Sequence, residues 1–195
     1  MVGVNGGPDT PRNEVDRRGY TVLAGAIPLE AVEVALRHLH LDVVERGLSA
    51  ETIGEWLWST HWFPHLRWDP PVVSLADHIP PEFREGEMCE PQIVLQPPDA
   101  SSDGPVTSHI DQEPDWADGR RYARIVGVPL TRSYPDNGGL IVWPFEGPEQ
   151  ETVDLAPGDM LVMHPRLPHS SGFNRQGGIR YAVYFRFLED AARAC

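Results

Sequence analysis

The sequence predicts a mainly β fold with flanking N-terminal helices, its strands curled into a double-sheet barrel of jelly-roll type. Three observations carry that expectation. From Pro91 onward short β-type runs are separated by Gly, Pro, Asn and Asp. The helical period is confined to the first third of the chain, where Val32, Leu36, Leu39 and Val43 recur at steps of three and four. The last apolar run alternates: Tyr181, Val183, Phe185 and Phe187 interleave with Ala182, Tyr184 and Arg186, the period of a strand with two different faces.

In chain order, residues 1–18 are rich in Gly, Pro, Asp and Arg without an apolar period, so they read as a flexible arm, with one domain over 19–195. Tyr20–Leu23 reads as a short strand. Pro28 stands where a first helical position tolerates its missing N–H, and Gly47 supplies the stop. A second, shorter helix is expected over 50–58, entered through Ser49 as its cap. The aromatic stretch 56–68, with Trp62 near its middle, is broken by Pro64 and reads either as cover for the core or as a pocket rim. Strands are then expected at Gln92–Gln96, 106–110, 122–130, 140–143, 152–155, Met160–Met163 and 179–188.

Composition excludes several function classes. All sixteen basic residues are Arg, and without Lys there is neither Schiff-base chemistry nor a Walker-type phosphate loop. A net charge of −13 opposes a nucleic-acid partner. Two cysteines, Cys89 and Cys195, make a disulfide framework or thiolate zinc site a poor reading, so a metal would take nitrogen and oxygen ligands. No long apolar run occurs, and residues 1–8 lack the regions of a signal peptide, so a soluble, cytoplasmic protein without membrane partners is expected. The Arg, Pro and Ala bias points to a high-GC bacterial genome.

His109-Ile110-Asp111 lies at the end of an expected strand, where period-two geometry turns residues 109 and 111 to one side. His169 follows sixty residues later, after Pro157-Gly158-Asp159 and a short apolar strand. Two imidazoles and one carboxylate on one face of an octahedral ion leave three positions open, an arrangement suited to iron(II). Arg180, eleven residues beyond His169, can neutralise the far carboxylate of an oxo acid that chelates the metal, with Ser171 as an added hydroxyl donor.

These pieces resemble the phytanoyl-CoA dioxygenase-like family of iron(II)/2-oxoglutarate oxygenases. The matching segments, in family order, are Gly19-Tyr20-Thr21-Val22-Leu23, His109-Ile110-Asp111, Asp136-Asn137-Gly138-Gly139-Leu140, and Gly158-Asp159 through His169-Ser170-Ser171-Gly172-Phe173-Asn174 to Arg180. The likeness covers residues 19–188, with specific motifs in 109–180. It implies a double-stranded β-helix, Fe(II), 2-oxoglutarate and O₂ as cosubstrates, and release of succinate and CO₂. Residue by residue, it makes His109, Asp111 and His169 the catalytic metal triad and Arg180 the cosubstrate clamp, with Ser171 as its helper. Gln96 matches an amide beside the cosubstrate, and Trp116 falls where relatives place a substrate-contacting aromatic, next to the bland reading of an ordinary Trp.

Two departures touch the substrate side. Trp143-Pro144-Phe145-Glu146-Gly147 replaces the family's Pro-Gly-Ser-His, and the chain is shorter than most relatives, which speaks against a CoA ester. The acidic charge and the absent Ser-Lys-Leu terminus agree. Because Asp111 is present, hydroxylation, desaturation or epoxidation is expected in place of halogenation. The expected partner is a small apolar or cationic metabolite of bacterial specialised metabolism, with Trp62 and Trp116 as substrate-binding residues. The rival reading is a cupin-type metal-dependent isomerase or a non-catalytic small-ligand binder on a cupin-like barrel, which Pro157-Gly158-Asp159, Pro165, His169 and Asn174 also resemble. His38, His40, His61, His65, His78 and His164 read as structural or solvated.

Overall fold

The computed structural model describes residues 10–49, 52, 70–89, 91–98, 107–111 and 121–189. Its first element corrects the expectation of a loose arm through residue 18. Pro11–Arg18 form a helix, α1, because its ends are chemically closed. The Thr10 hydroxyl accepts from Asn13 N, Pro11 takes the first turn, and Gly19 (φ 90°) donates back to Val15 O. Val15 is fully buried, and Arg18 reaches Glu151 at 2.7 Å, so tertiary contacts hold a helix whose apolar period is too short to read.

β1 (Tyr20–Leu23) follows, then α2 (Leu29–Glu45) with Pro28 as its cap. α2 ends in a Schellman arrangement. Gly47 (φ 64°) donates to Val44 O and Leu48 to Val43 O, each at 3.0 Å, which satisfies carbonyls the helix leaves open. Val32, Ala35, Leu39 and Val43 form its buried stripe, with Leu36 packed at the margin. Of the second expected helix, Thr52 N donates to Ser49 Oγ at 3.1 Å, as a cap requires; residues 53–69, including Trp62 and the rest of the aromatic stretch, lie outside the described residues. A short helix α3 (Pro70–Val73) and two 3₁₀ turns, Ser74–His78 and Pro81–Phe83, then lead to the strands.

Those strands are β2 (Gln92–Gln96), β3 (Tyr122–Pro129), β4 (Leu140–Val142), β5 (Glu151–Val153), β6 (Met160–Met163), β7 (His169–Ser171) and β8 (Arg180–Leu188). They build two antiparallel sheets, β1-β6-β3-β8-β2 and β5-β4-β7. The mainly β jelly-roll expectation holds. The expected strand at 106–110 shrinks, however. Among the described residues 107–111 only His109 pairs, in a bridge to His169 that extends the smaller sheet by one position.

Two cores result. On the outer face of the larger sheet, Val126, Val128, Val162, Val183, Phe185 and Phe187 pack against the α2 stripe and Phe83. Between the sheets, Ile125, Leu140, Val142, Val153, Leu155, Leu161 and Met163 fill one side of the interior. Burying each large side chain contributes about 1.5–3 kcal/mol. The other side of the interior is largely polar, because β8 and β2 turn Arg180, Tyr184, Arg186, Gln92 and Gln96 inward around the Val94↔Ala182 pair, with Gln96 opposite Arg180 and Gln92 opposite Tyr184.

Candidate metal centre

β7 is three residues long and offers its free edge to the His109 segment. His109 N donates to His169 O at 3.0 Å and His169 N to His109 O at 2.9 Å, a two-bond pairing that sets the imidazoles side by side, centroids 4.4 Å apart. One residue past the bridge the chain turns, and Asp111 swings its carboxylate to the same side. Asp111 Oδ1 lies 3.8 Å from His109 Nε2 and 3.7 Å from His169 Nε2, and the three ligand atoms sit within 4.8 Å of one another. The sequence reading that 109 and 111 share a side agrees with this convergence, although a strand spans only part of it.

Each ligand is prepared differently. Leu167 O lies 2.9 Å from His169 Nδ1, so the proton belongs on Nδ1 and the Nε2 lone pair faces the cluster. His169 and Asp111 are 11% and 12% exposed, whereas His109 is 61% exposed and forms the open edge. Partial burial, then the neighbouring His169, lower the pKa of His109, which keeps its imidazole neutral and available as a ligand. The donor set of two imidazoles and a carboxylate suits iron(II).

Arg180 opens β8 beneath Ser171. Arg180 is 2% exposed, donates to Ser171 Oγ at 3.3 Å and lies against the Tyr184 phenol. Burial lowers its pKa, and no carboxylate of the described residues offsets that cost. Its Nε has no hydrogen-bond partner among the described residues. A buried cation with an unused donor is expensive unless an anion joins it. Ser171 stands two residues from His169 along β7, about 7 Å, a span that a five-carbon dicarboxylate bridges. The residues present therefore fit both a metal ion and a chelating oxo acid.

The motif residues between the ligands form the frame. Gly138 (φ 76°) has no room for a Cβ, which would lie 2.6 Å from Gln96 Cγ and 2.9 Å from Gly172 O. Asn137 pairs with Asn174 across a bridge, and Asn174 Nδ2 donates to Gln96 O and Gly178 O at 2.8 and 2.7 Å. The Asn-Gly-Gly turn thus locks β2, β7 and the loop into β8 together, with Gln96 directly opposite Arg180. Trp116, like Trp62, lies outside the described residues. His164 accepts from Arg166 N through Nδ1 and stacks edge-on with Phe145, away from the ligand cluster.

One participant escaped the sequence reading. Arg186 donates to Asp111 Oδ2 at 2.8 Å and, through the same nitrogen, to Gln92 Oε1 at 2.5 Å. The signal was available, since residues 180 and 186 of one strand share a face, but nothing local in the sequence pairs Arg186 with a residue 75 positions earlier.

No protein-family model and no curated protein sequence matches the chain. Solved structures do. AviO1 from Streptomyces viridochromogenes Tue57 is similar at a TM-score of 0.64 and 19% identity, covering 93% of this chain and 94% of its own. EvdO2 from Micromonospora carbonacea var. aurantiaca gives 0.62 and 20%, over 97% and 94%, and has also been crystallised with 2-oxoglutarate. SnoN, a non-haem α-ketoglutarate-dependent epimerase from nogalamycin biosynthesis, gives 0.60 and 17%, over 93% and 81%; it has been solved with Fe³⁺, α-ketoglutarate and nogalamycin RO. At these identities the likeness establishes the fold alone: the chain shares its mainly β, jelly-roll architecture with these structures.

Proposed function

We propose that the protein is a non-haem Fe(II)/2-oxoglutarate-dependent dioxygenase, of the phytanoyl-CoA dioxygenase-like type, that hydroxylates, desaturates or epoxidises a small metabolite of bacterial specialised metabolism. One observation carries the reading. Arg180 is a buried guanidinium whose Nε has no partner among the described residues, and it donates to Ser171, two strand positions from His169 of the His-Asp-His cluster. A cupin isomerase would need the metal ligands and has no use for that cation.

His109, Asp111 and His169 would hold the iron, and Arg180 with Ser171 the far carboxylate of 2-oxoglutarate. Iron with its oxo acid and O₂ supplies an oxidant that breaks an unactivated C–H bond, while 2-oxoglutarate leaves as succinate and CO₂. The chain's own part is positional. Leu167 O holds the His169 tautomer, and the apolar side of the interior excludes water from one flank. Arg180 and Ser171 would make the oxo acid bind in one orientation by charge-assisted hydrogen bonds. Trp62 and Trp116 are proposed to contact the substrate.

Anaerobic Fe(II) and 2-oxoglutarate should produce a weak visible charge-transfer band. Arg180→Met should raise the 2-oxoglutarate concentration at half-formation about 10- to 150-fold, since a hydrogen bond to a charged group contributes about 1.5–3 kcal/mol. Metal uptake without any band in the wild type would refute the cosubstrate assignment and favour the cupin reading.

A further inference from the structure

Arg186 has no place in the reading above, yet it donates directly to a metal-ligand carboxylate. Its terminal nitrogen bridges Asp111 Oδ2 (2.8 Å) and Gln92 Oε1 (2.5 Å), and its guanidinium carbon lies 5.9 Å from the centre of the Tyr122 ring. Gln92 on β2, Arg186 on β8 and Tyr122 at the start of β3 belong to the larger sheet, whereas Asp111 leaves the bridge that extends the smaller one. The contact therefore ties the two sheets together at a metal ligand.

A carboxylate has two equivalent oxygens, and a divalent cation takes one or both according to what else they touch. Here Oδ2 already accepts a charge-assisted hydrogen bond, while Oδ1 faces the two imidazole nitrogens at 3.8 and 3.7 Å. Letting a cation capture Oδ2 would break a short bond to a partly buried arginine, whose side chain is 16% exposed. The consequence is a coordination count. Two imidazoles and one carboxylate oxygen leave three of six octahedral positions for exogenous ligands, and a two-oxygen carboxylate leaves two. A chelating oxo acid alone would fill two.

We propose that Arg186, braced by Gln92, is a positioning residue that restricts Asp111 to one-oxygen ligation and so keeps the third exogenous position of the metal available. This rests on the metal-centre reading and adds to it a residue that touches neither metal nor cosubstrate.

The test needs no turnover. Mn(II) is titrated to saturation into the full chain without 2-oxoglutarate, and the water-proton relaxation enhancement per bound ion is measured, since it scales with the number of exchanging waters on the ion. Wild type should show three such waters. Arg186→Met, which keeps the unbranched apolar stem but removes the guanidinium and its donors, should show two, a fall of about one third for an octahedral ion. Gln92→Leu, which leaves the Arg186–Asp111 pair but removes its brace, should fall in the same direction by less. Folding is checked by circular dichroism; if Arg186→Met fails to fold, Gln92→Leu decides. Unchanged enhancement in the folded variants would overturn the proposal. A wild type that binds no Mn(II) would overturn the metal-centre reading itself, and that failure is visible before any substitution is made.

Discussion

The two faces of β8 differ as much as any two regions of the molecule. Outward, Tyr181, Val183, Phe185 and Phe187 are each at most 3% exposed and pack under α2 in the larger core. Inward, the same strand presents Arg180, Tyr184 and Arg186 to the site. The inward arginines also differ from each other. Arg186 has its partners built in, a carboxylate and an amide, whereas Arg180 has only hydroxyls and an idle Nε. A strand with one apolar face against a helix is rigid, and rigidity on that side allows costly buried cations on the other. The arginine with an internal anion is structural to the site, and the one without is where an external anion is expected to bind.

If the faces are separate in function, substitutions should sort cleanly. The largest effect is expected for His169→Ala, which removes a ligand and the imidazole pairing with His109; metal affinity measured by titration should fall by more than the roughly 10–100-fold that outer-shell partners typically cost, with little change in thermal unfolding of the metal-free protein. Next, Phe185→Ala should cost about 3–5 kcal/mol in denaturant unfolding, yet leave metal affinity in the folded protein near wild type. Loss of metal binding there at concentrations where the protein stays folded would show that the faces are coupled. Arg180→Met comes third: 2-oxoglutarate binding weakens while metal binding stands. A gain in stability for this variant, from removing a buried cation with too few partners, would sharpen the contrast with Arg186 further.

The smallest effect concerns the dry side of the interior. Tyr20, buried and hydrogen-bonded to Glu151 at 2.7 Å, has its phenol pKa pushed up to about 12 by burial first and then by that carboxylate. The folded state therefore holds this proton more tightly than the unfolded chain. The stability it contributes is full below the ordinary phenol value of 10 and is lost as pH rises through about 12. Tyr20→Phe should flatten that alkaline limb in a pH series of unfolding curves; an unchanged limb would mean another group titrates there.

Much of this was legible in the sequence because it depends on local periods. β1, β2 and β6 fall at the expected residues, and the α2 stripe appears with Ala35 taking the place of Leu36 at its centre. β4 stops one residue early because Trp143 N turns to Pro168 O, and β5 shifts forward because Leu155 pairs instead with Ser133. α1 was hidden because its stability comes from a cap, one buried valine and the Arg18–Glu151 pair, none of which has a period. The convergence of His109, Asp111 and His169 agrees with their spacing and motif order, but the two-bond bridge that produces it is a long-range pairing no sequence window contains.

By itself, then, the sequence determined which residues alternate, which face of each element is apolar, and which chemical groups are available as ligands, since these follow from side-chain type and a period of two or 3.6. Only the tertiary structure decided what those groups meet. That Arg186 rather than Arg180 faces Asp111, and that Gly138 must leave space for Gln96, are outcomes of sheet register across gaps of 75 and 42 residues. Register is set by the sum of all packed pairs, so no local segment encodes it.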